Sequence, residues 1–251
     1  MKPFDPGHAR PILGAARTIA VMQPYFLPYL GYWQLLHAAD TIVLLDDVAY
    51  MPRGWVNRNR ILANGMDFLF TIPVLGSSQN RRICDIERDD SARAIPKLAS
   101  TLQQSYRRAA CCEESYPIIH DCLNQPATNL ADFNVASIRR ILDSLGISRE
   151  IKRSSAHFSH LSSRGEERIL DICTAESATR YLNLPGGVNL YVRENFAARG
   201  IDLKFIRPVL QPYSQLSDTF VPGLSIVDAL LNIGIDSTRR HVQLMELVDA
   251  K

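Results

Sequence analysis

Two adjacent carboxylates, Asp46 and Asp47, stand where the apolar run Thr41–Leu45 stops. Such a pair can bind a divalent cation such as Mg²⁺, accept a proton as general base, or grip the hydroxyls of a sugar or ribose. If a strand continues through them, their side chains point in opposite directions, so one faces a cleft and the other caps local backbone. Just upstream, "QPYFLPYLGY" supplies Gln23, Tyr25, Tyr29 and Tyr32. Their flat apolar bodies and polar tips suit a ring-shaped polar ligand. Pro24 and Pro28 stiffen the segment by fixing φ. Gly31 lets backbone and ligand approach closely at a helix start, where free N–H groups can hold an anion.

Downstream, "RGWVNRNRI" carries Arg53, Arg58 and Arg60 with Trp55, Asn57 and Asn59. Guanidiniums suit two-pronged recognition of phosphate or carboxylate, which is the role expected of Arg58 and Arg53. On an extended segment Trp55, Asn57 and Asn59 share one face. A solvated strand with an aromatic anchor would carry the same residues. Gly186-Gly187, between a strand and a helix, can cradle phosphate or simply make a tight turn. Near the C-terminus, "QPYSQLSD" echoes the first loop and leaves Gln215 and Asp218 uncommitted. Ser225 reads as the cap of a helix over 226–232, with Asp228 in its first turn. His157 and His160 have the spacing of two ligands on one helix face, but no third ligand is indicated and no metal site is expected. No G-x-S-x-G, P-loop or HExxH motif occurs.

The elements that must position these groups follow from periodicity. TIAVM (18–22) and TIVLL (41–45) are short β-branched runs, read as buried strands, with helical spacing from about 31 to 39 between them. Strand, loop, helix and strand within about 30 residues make a βαβ unit with a right-handed crossover. Ligands in open α/β sheets bind beyond the carboxyl ends of the strands, which is where the tyrosine loop and the aspartates fall. Asn64-Gly65 predicts a hairpin pairing 55–62 with 66–74. "ICDIERDD" alternates like a strand. Residues 91–146 are helical in period, and from 149 onward strands and helices alternate again. The expected fold is α/β: a mostly parallel Rossmann-like sheet with flanking helices and a helical insertion at about 91–146. Residues 18–240 read as one domain, with a flexible lead-in over 1–17 and a tail over 241–251.

The chain has 251 residues, of which 46% are hydrophobic and 22% charged, enough for a substantial core. A net charge of +2 gives no reason to expect nucleic acid or an anionic membrane as main partner. The N-terminus lacks the sustained apolar stretch of a signal peptide. Five cysteines without a C-x-x-C pair read as reduced cytosolic thiols.

Four blocks together carry a resemblance: "QPYFLPYLGYWQLLHAADTIVLLDDVAYMPRGWVNRNRI", "FTIPV", "TRYLNLPGGVNLY" and "FVPGLSIVDALLNIG". The set resembles the WbqC-like family from about Ile19 to Gly234. That resemblance implies a bacterial cytoplasmic protein of O-antigen or other surface-polysaccharide (lipopolysaccharide) biosynthesis. It also implies acyl or aminoacyl transfer, with glycine as a candidate donor, to a nucleotide-linked amino sugar. The expected partners are then a small-molecule sugar nucleotide and the donor. The sequence departs from the family pattern at Met51-Pro52-Arg53, where Thr-Lys-Arg is more typical, and at Asn183-Leu184-Pro185, where Ser-Gly is. Arg53 can replace a clamping lysine but not a nucleophilic one. A looser similarity is to the HIGH-type nucleotidyltransferases, with Tyr29-Leu30-Gly31-Tyr32 where that superfamily has His-x-Gly-His. This implies an alternative enzyme using ATP and Mg²⁺, without the usual histidines. A non-catalytic sugar-nucleotide binding protein is the third expectation.

Overall fold

The computed structural model describes residues 17–249; the expected lead-in, apart from Arg17, lies outside them. Strand β1 (Thr18–Met22) is nearly all buried and ends at Gln23-Pro24, where Pro24 has no N–H to continue a ladder. Helix α1 (Leu30–Ala38) follows, then β2 (Thr41–Leu44), which pairs parallel with β1 from Ile19↔Thr41 to Met22↔Leu44. The hairpin comprises β3 (Arg58–Ala63) and β4 (Met66–Thr71), joined through Asn64 and Gly65. Its first strand starts three residues later than the pattern predicts, so Trp55 and Asn57 both lie in the preceding loop, and exposed Trp55 does not share a face with buried Asn57 and Asn59. Two short strands, β5 (Val74–Leu75) and β6 (Glu87–Arg88), pair with each other. "ICDIERDD" is therefore mostly not a strand. Ile83–Asp85 form a 3₁₀ turn, whose three-residue repeat puts Ile83 and Ile86 on one side and into a small cluster.

The insertion holds α2 (Ala94–Tyr106), α3 (Cys112–Leu123) and α4 (Leu130–Ser144). Then come β7 (Glu150–Arg153), α5 (Ser154–His157), α6 (Gly165–Ala175), β8 (Arg180–Asn183), α7 (Arg193–Ala198) and β9 (Asp202–Pro208). Helix α8 (Ile226–Val242) bends at Gly234, where φ is 74°, and leads to β10 (Met245–Asp249). The six-stranded sheet has the order β10-β9-β8-β1-β2-β7, and all neighbours are parallel except β10 with β9.

The sheet separates two cores. Ala20, Ile42, Leu44, Leu182 and Ile206 pack with α1, the insertion helices and α8. Ile19, Val21, Val43, Leu203 and Phe205 pack with α6 and α7. Alternate residues of each strand thus reach opposite cores, which is why the strands read as continuous apolar runs. The expected tail over 241–251 needs correction: α8 passes Asn232 and runs to Val242, and β10 pairs along the sheet edge from Met245↔Pro208 to Asp249↔Lys204. "MELVD" is too short and mixed to declare itself; its strand character comes from the β9 edge it pairs with.

Asp228 sits at the centre of α8's polar contacts. Tyr106 Oη donates to its Oδ1 at 2.8 Å, while Tyr213 Oη and Gln215 Nε2 donate to its Oδ2 at 2.8 and 2.7 Å. Burial pushes the Asp228 carboxyl above its ordinary value of 3.8, and these donors only partly offset that. A carboxyl raised in the folded state gives stability that is full below the unfolded value and lost as pH rises through the folded one. The difference in unfolding free energy between wild type and Asp228→Asn is therefore expected to shrink as pH rises from about 4; denaturant melts across pH 3.5–8 check this.

Candidate functional site

Strand β1 lies between β2, which follows it in the chain, and β8, to which the chain returns after β7. The order reverses between β1 and β8, so their carboxyl ends flank a topological switch point, the crevice where such sheets take ligands. A cleft of about 700 Å³ occupies it, lined by Met22 and Gln23 after β1, Leu45 after β2, Asn183 to Gly187 after β8, and Pro208 at the end of β9. Tyr25, Tyr29 and Trp55 wall it too, and the same three rings border a hollow of about 240 Å³ with Pro28, Asn59, Arg60 and Gly223.

The loop carrying the tyrosines is held carbonyl by carbonyl. Asn134 Nδ2 donates to Pro24 O at 2.8 Å. Asn59 Nδ2 donates to Phe26 O at 3.0 Å and Leu27 O at 2.7 Å. Ser225 Oγ also donates to Leu27 O at 2.7 Å, and Trp33 Nε1 to Pro28 O at 2.8 Å. Leu27 holds φ at 43°, a left-handed conformation that costs a leucine of order 1 kcal/mol or more. The surrounding donors fix it there. Asn59, Asn134 and Ser225 are thus positioning residues that sequence reasoning missed as such; an Asn or Ser destined for burial was the only signal. Asn59→Ala leaves Phe26 O without a donor while Ser225 Oγ still serves Leu27 O, so a loss of about 1–3 kcal/mol is expected in urea unfolding.

Several expected ligand contacts turn out to be structural. Tyr32 is fully buried and donates to Gln23 O at 2.9 Å. Gly31 makes room for a neighbour: a Cβ there would lie 2.4 Å from the Tyr29 ring, so its absence seats that ring over the helix start. Asn57 is buried, accepting from Tyr50 Oη at 2.9 Å and donating to Ile72 O at 2.7 Å. Gln215 ties Asp228 to Val221. Arg58 stacks its guanidinium 5.5 Å from the Trp55 ring centre and donates to Gly54 O at 2.9 Å. It positions Trp55 and does not line the cleft. Arg53 is exposed outside both hollows.

Asp46 is 0% exposed. Its Oδ2 accepts from Arg153 Nε and Ser155 Oγ, both at 2.7 Å, and its Oδ1 from the Ser155 amide at 2.8 Å. Asp47 is half-buried and ion-paired with Arg168. Ser154 Oγ lies 2.6 Å from Asp47 Oδ1 and 3.0 Å from Asp46 Oδ1, and donates to one of them. Two guanidiniums neutralise the pair, which does not fit a divalent cation. Among the described residues no group of three or more His, Cys, Asp or Glu is arranged to hold a metal. Asp46 therefore cannot meet a ligand, and Asp47 opens to a different hollow, beyond β2 and β7. The aspartates and the tyrosine loop do not share one pocket.

Gly186 and Gly187 line the switch-point cleft in a 3₁₀ turn (Pro185–Leu190). A Cβ on Gly187 would lie 2.8 Å from Asn183 Nδ2. That amide donates to Tyr181 Oη and Tyr191 Oη at 3.0 and 3.1 Å. Burial pushes Tyr25, Tyr29 and Tyr191 above the ordinary phenol value, so all three stay protonated donors at neutral pH. The cleft offers aromatic faces and neutral hydrogen-bonding tips.

Fold and cleft together define a Rossmann-like α/β domain whose ligand crevice is walled by aromatic rings. The WbqC-like protein family model matches residues 23–240, and the chain belongs to that family. It is 29% identical over 227 residues to "Uncharacterized protein Rv1507c" of Mycobacterium tuberculosis, covering 88% of this chain and 96% of that one. No solved structure matches the chain. Among the described residues no helix is long and apolar enough to cross a membrane.

Proposed function

We propose that the chain is a cytoplasmic transferase of bacterial surface-polysaccharide (O-antigen) assembly that acts on a nucleotide-linked amino sugar. An acyl or aminoacyl group, glycyl being the first candidate, passes to the sugar's amine. The carrying observation is the cleft at the β1/β8 switch point with Tyr25, Tyr29 and Trp55 on its wall. Rings of this kind bind the flat faces of a base or sugar, while Gln23 supplies directed hydrogen bonds. Family membership supports the pathway.

In the transfer, the amine nitrogen bonds to the acyl carbon and the donor's leaving group departs with its electron pair. The nitrogen's proton goes to a base. Of the two aspartates, Asp46 is buried, so the acceptor in this reading is Asp47, which borders the neighbouring hollow two residues past the cleft wall at Leu45. Calorimetric titration with UDP-, GDP- and dTDP-linked sugars tests the reading. One of them is expected to bind and to be consumed when an activated acyl donor is added. Tight binding without turnover would instead favour a sugar-nucleotide binding protein. Release of pyrophosphate from ATP in the presence of Mg²⁺ would favour a nucleotidyltransferase, and no binding across the panel would remove the proposal.

A further inference from the structure

A second hollow, of about 630 Å³, opens on the same side of the sheet, beyond β2 and β7. Its chemistry differs from that of the aromatic cleft. Arg81, Arg82, Arg164 and Arg168 line it with Asp47 and Ser155. Arg168 pairs with Asp47, and Arg82 pairs with Asp85 at 2.8 Å. Arg81 donates only to backbone carbonyls, among them Leu75 O at 2.9 Å, and Arg164 makes no ion pair among the described residues. Two positive charges thus remain without a carboxylate.

The first turn of α6 faces the same hollow. Gly165 lines it with open space where a Cβ would be, and no side chain caps the helix's free N–H groups. The acidic residues of that turn are engaged elsewhere: Glu166 accepts from the Val192 amide at 2.5 Å, and Glu167 pairs with Arg199. Uncompensated guanidiniums, unsatisfied helix amides and a roomy hollow are together the chemistry of a phosphoryl-anion site. The hollow also abuts the aromatic cleft. Buried Asp46 alone separates Leu45, on one wall, from Asp47, on the other, and the consecutive α6 residues Ile169 and Arg168 line one hollow each.

We propose that this arginine-lined hollow is a binding site for a phosphoanhydride, the di- or triphosphate portion of a ligand whose reacting end reaches the aromatic cleft. It deepens the sugar-nucleotide reading and rests on it for the second half of that statement only; the anion site stands by itself.

The test is isothermal titration of the full chain with inorganic pyrophosphate at low ionic strength. Wild type is expected to bind, more weakly as salt is added. Arg81→Gln with Arg164→Gln, which removes the two charges that have no carboxylate, is expected to weaken binding at least tenfold. Arg164 is exposed and Arg81 half-buried, so Arg164→Gln alone is measured if the double variant melts early. Arg107→Gln, an exposed arginine outside the hollow, is expected to bind as wild type. No binding at millimolar pyrophosphate, or binding indifferent to Arg81 and Arg164, overturns the site. The titration is repeated with saturating nucleotide-linked sugar. Loss of pyrophosphate binding means that the hollow takes that ligand's own diphosphate, and retention means that it takes a second, phosphorylated substrate. If no sugar nucleotide binds while pyrophosphate does, the sugar reading fails and the anion site stands.

Discussion

Trp55→Ala is expected to weaken binding of the nucleotide-linked sugar about tenfold or more while changing stability by under about 1 kcal/mol. The indole is 43% exposed and walls both the switch-point cleft and the smaller hollow beside it. Stacking of a ring on an aromatic side chain is worth about 1–3 kcal/mol, which spans roughly fivefold to over a hundredfold in affinity. The fold loses little, because the indole's recorded partner is the Arg58 guanidinium, an exposed cation–π contact of about 0.5–1 kcal/mol. Trp55→Phe should recover most of the affinity, since it restores a flat face. Titration calorimetry read against a urea melt separates the two effects, and unchanged affinity in Trp55→Ala would take the aromatic wall out of ligand recognition.

The second large effect separates the two aspartates. Asp46→Asn is expected to lower stability by about 3 kcal/mol, or roughly 6–12 °C in a domain of this size. Removing its charge leaves Arg153 with the exposed Asp132 alone and puts an amide –NH₂ against either the Ser155 amide or the donors Arg153 and Ser155 Oγ. Asp47→Asn also gives up an ion pair, with Arg168, so it is expected to melt lower than wild type and, below that melt, to lose about a hundredfold or more in turnover, the usual worth of a general base. Calorimetric melting of both variants, followed by turnover of Asp47→Asn, checks the pair. Full turnover in Asp47→Asn would move the proton acceptor elsewhere.

Much of the frame is legible in the chain itself. The β-branched runs at 18–22 and 41–45, the helical spacing between them and the Asn64-Gly65 turn are local signals, and the structure builds the βαβ unit and the hairpin from them. The tyrosine loop is legible for the same reason, since its prolines, rings and position after a strand are all written in one short segment.

What each polar group does there was not legible. Arg153 and Arg168, which neutralise Asp46 and Asp47, come from 107 and 121 residues further along the chain. Asn134, which pins Pro24 O, lies 110 residues from it. A carboxylate beside a strand end looks the same in sequence whether it meets solvent, a substrate or a guanidinium. Likewise, Tyr25 and Tyr32 are alike on the page, yet one walls the cleft and the other is sealed beneath it. Local periodicity and turn residues were enough to specify the βαβ unit, the hairpin and the polar strand ends, but not β10, whose strand character comes from the β9 edge. Tertiary structure alone decided which of those groups are buried, paired or free, and divided the expected single pocket into an aromatic hollow and a cationic one, because burial and charge compensation are set by partners distant in the chain.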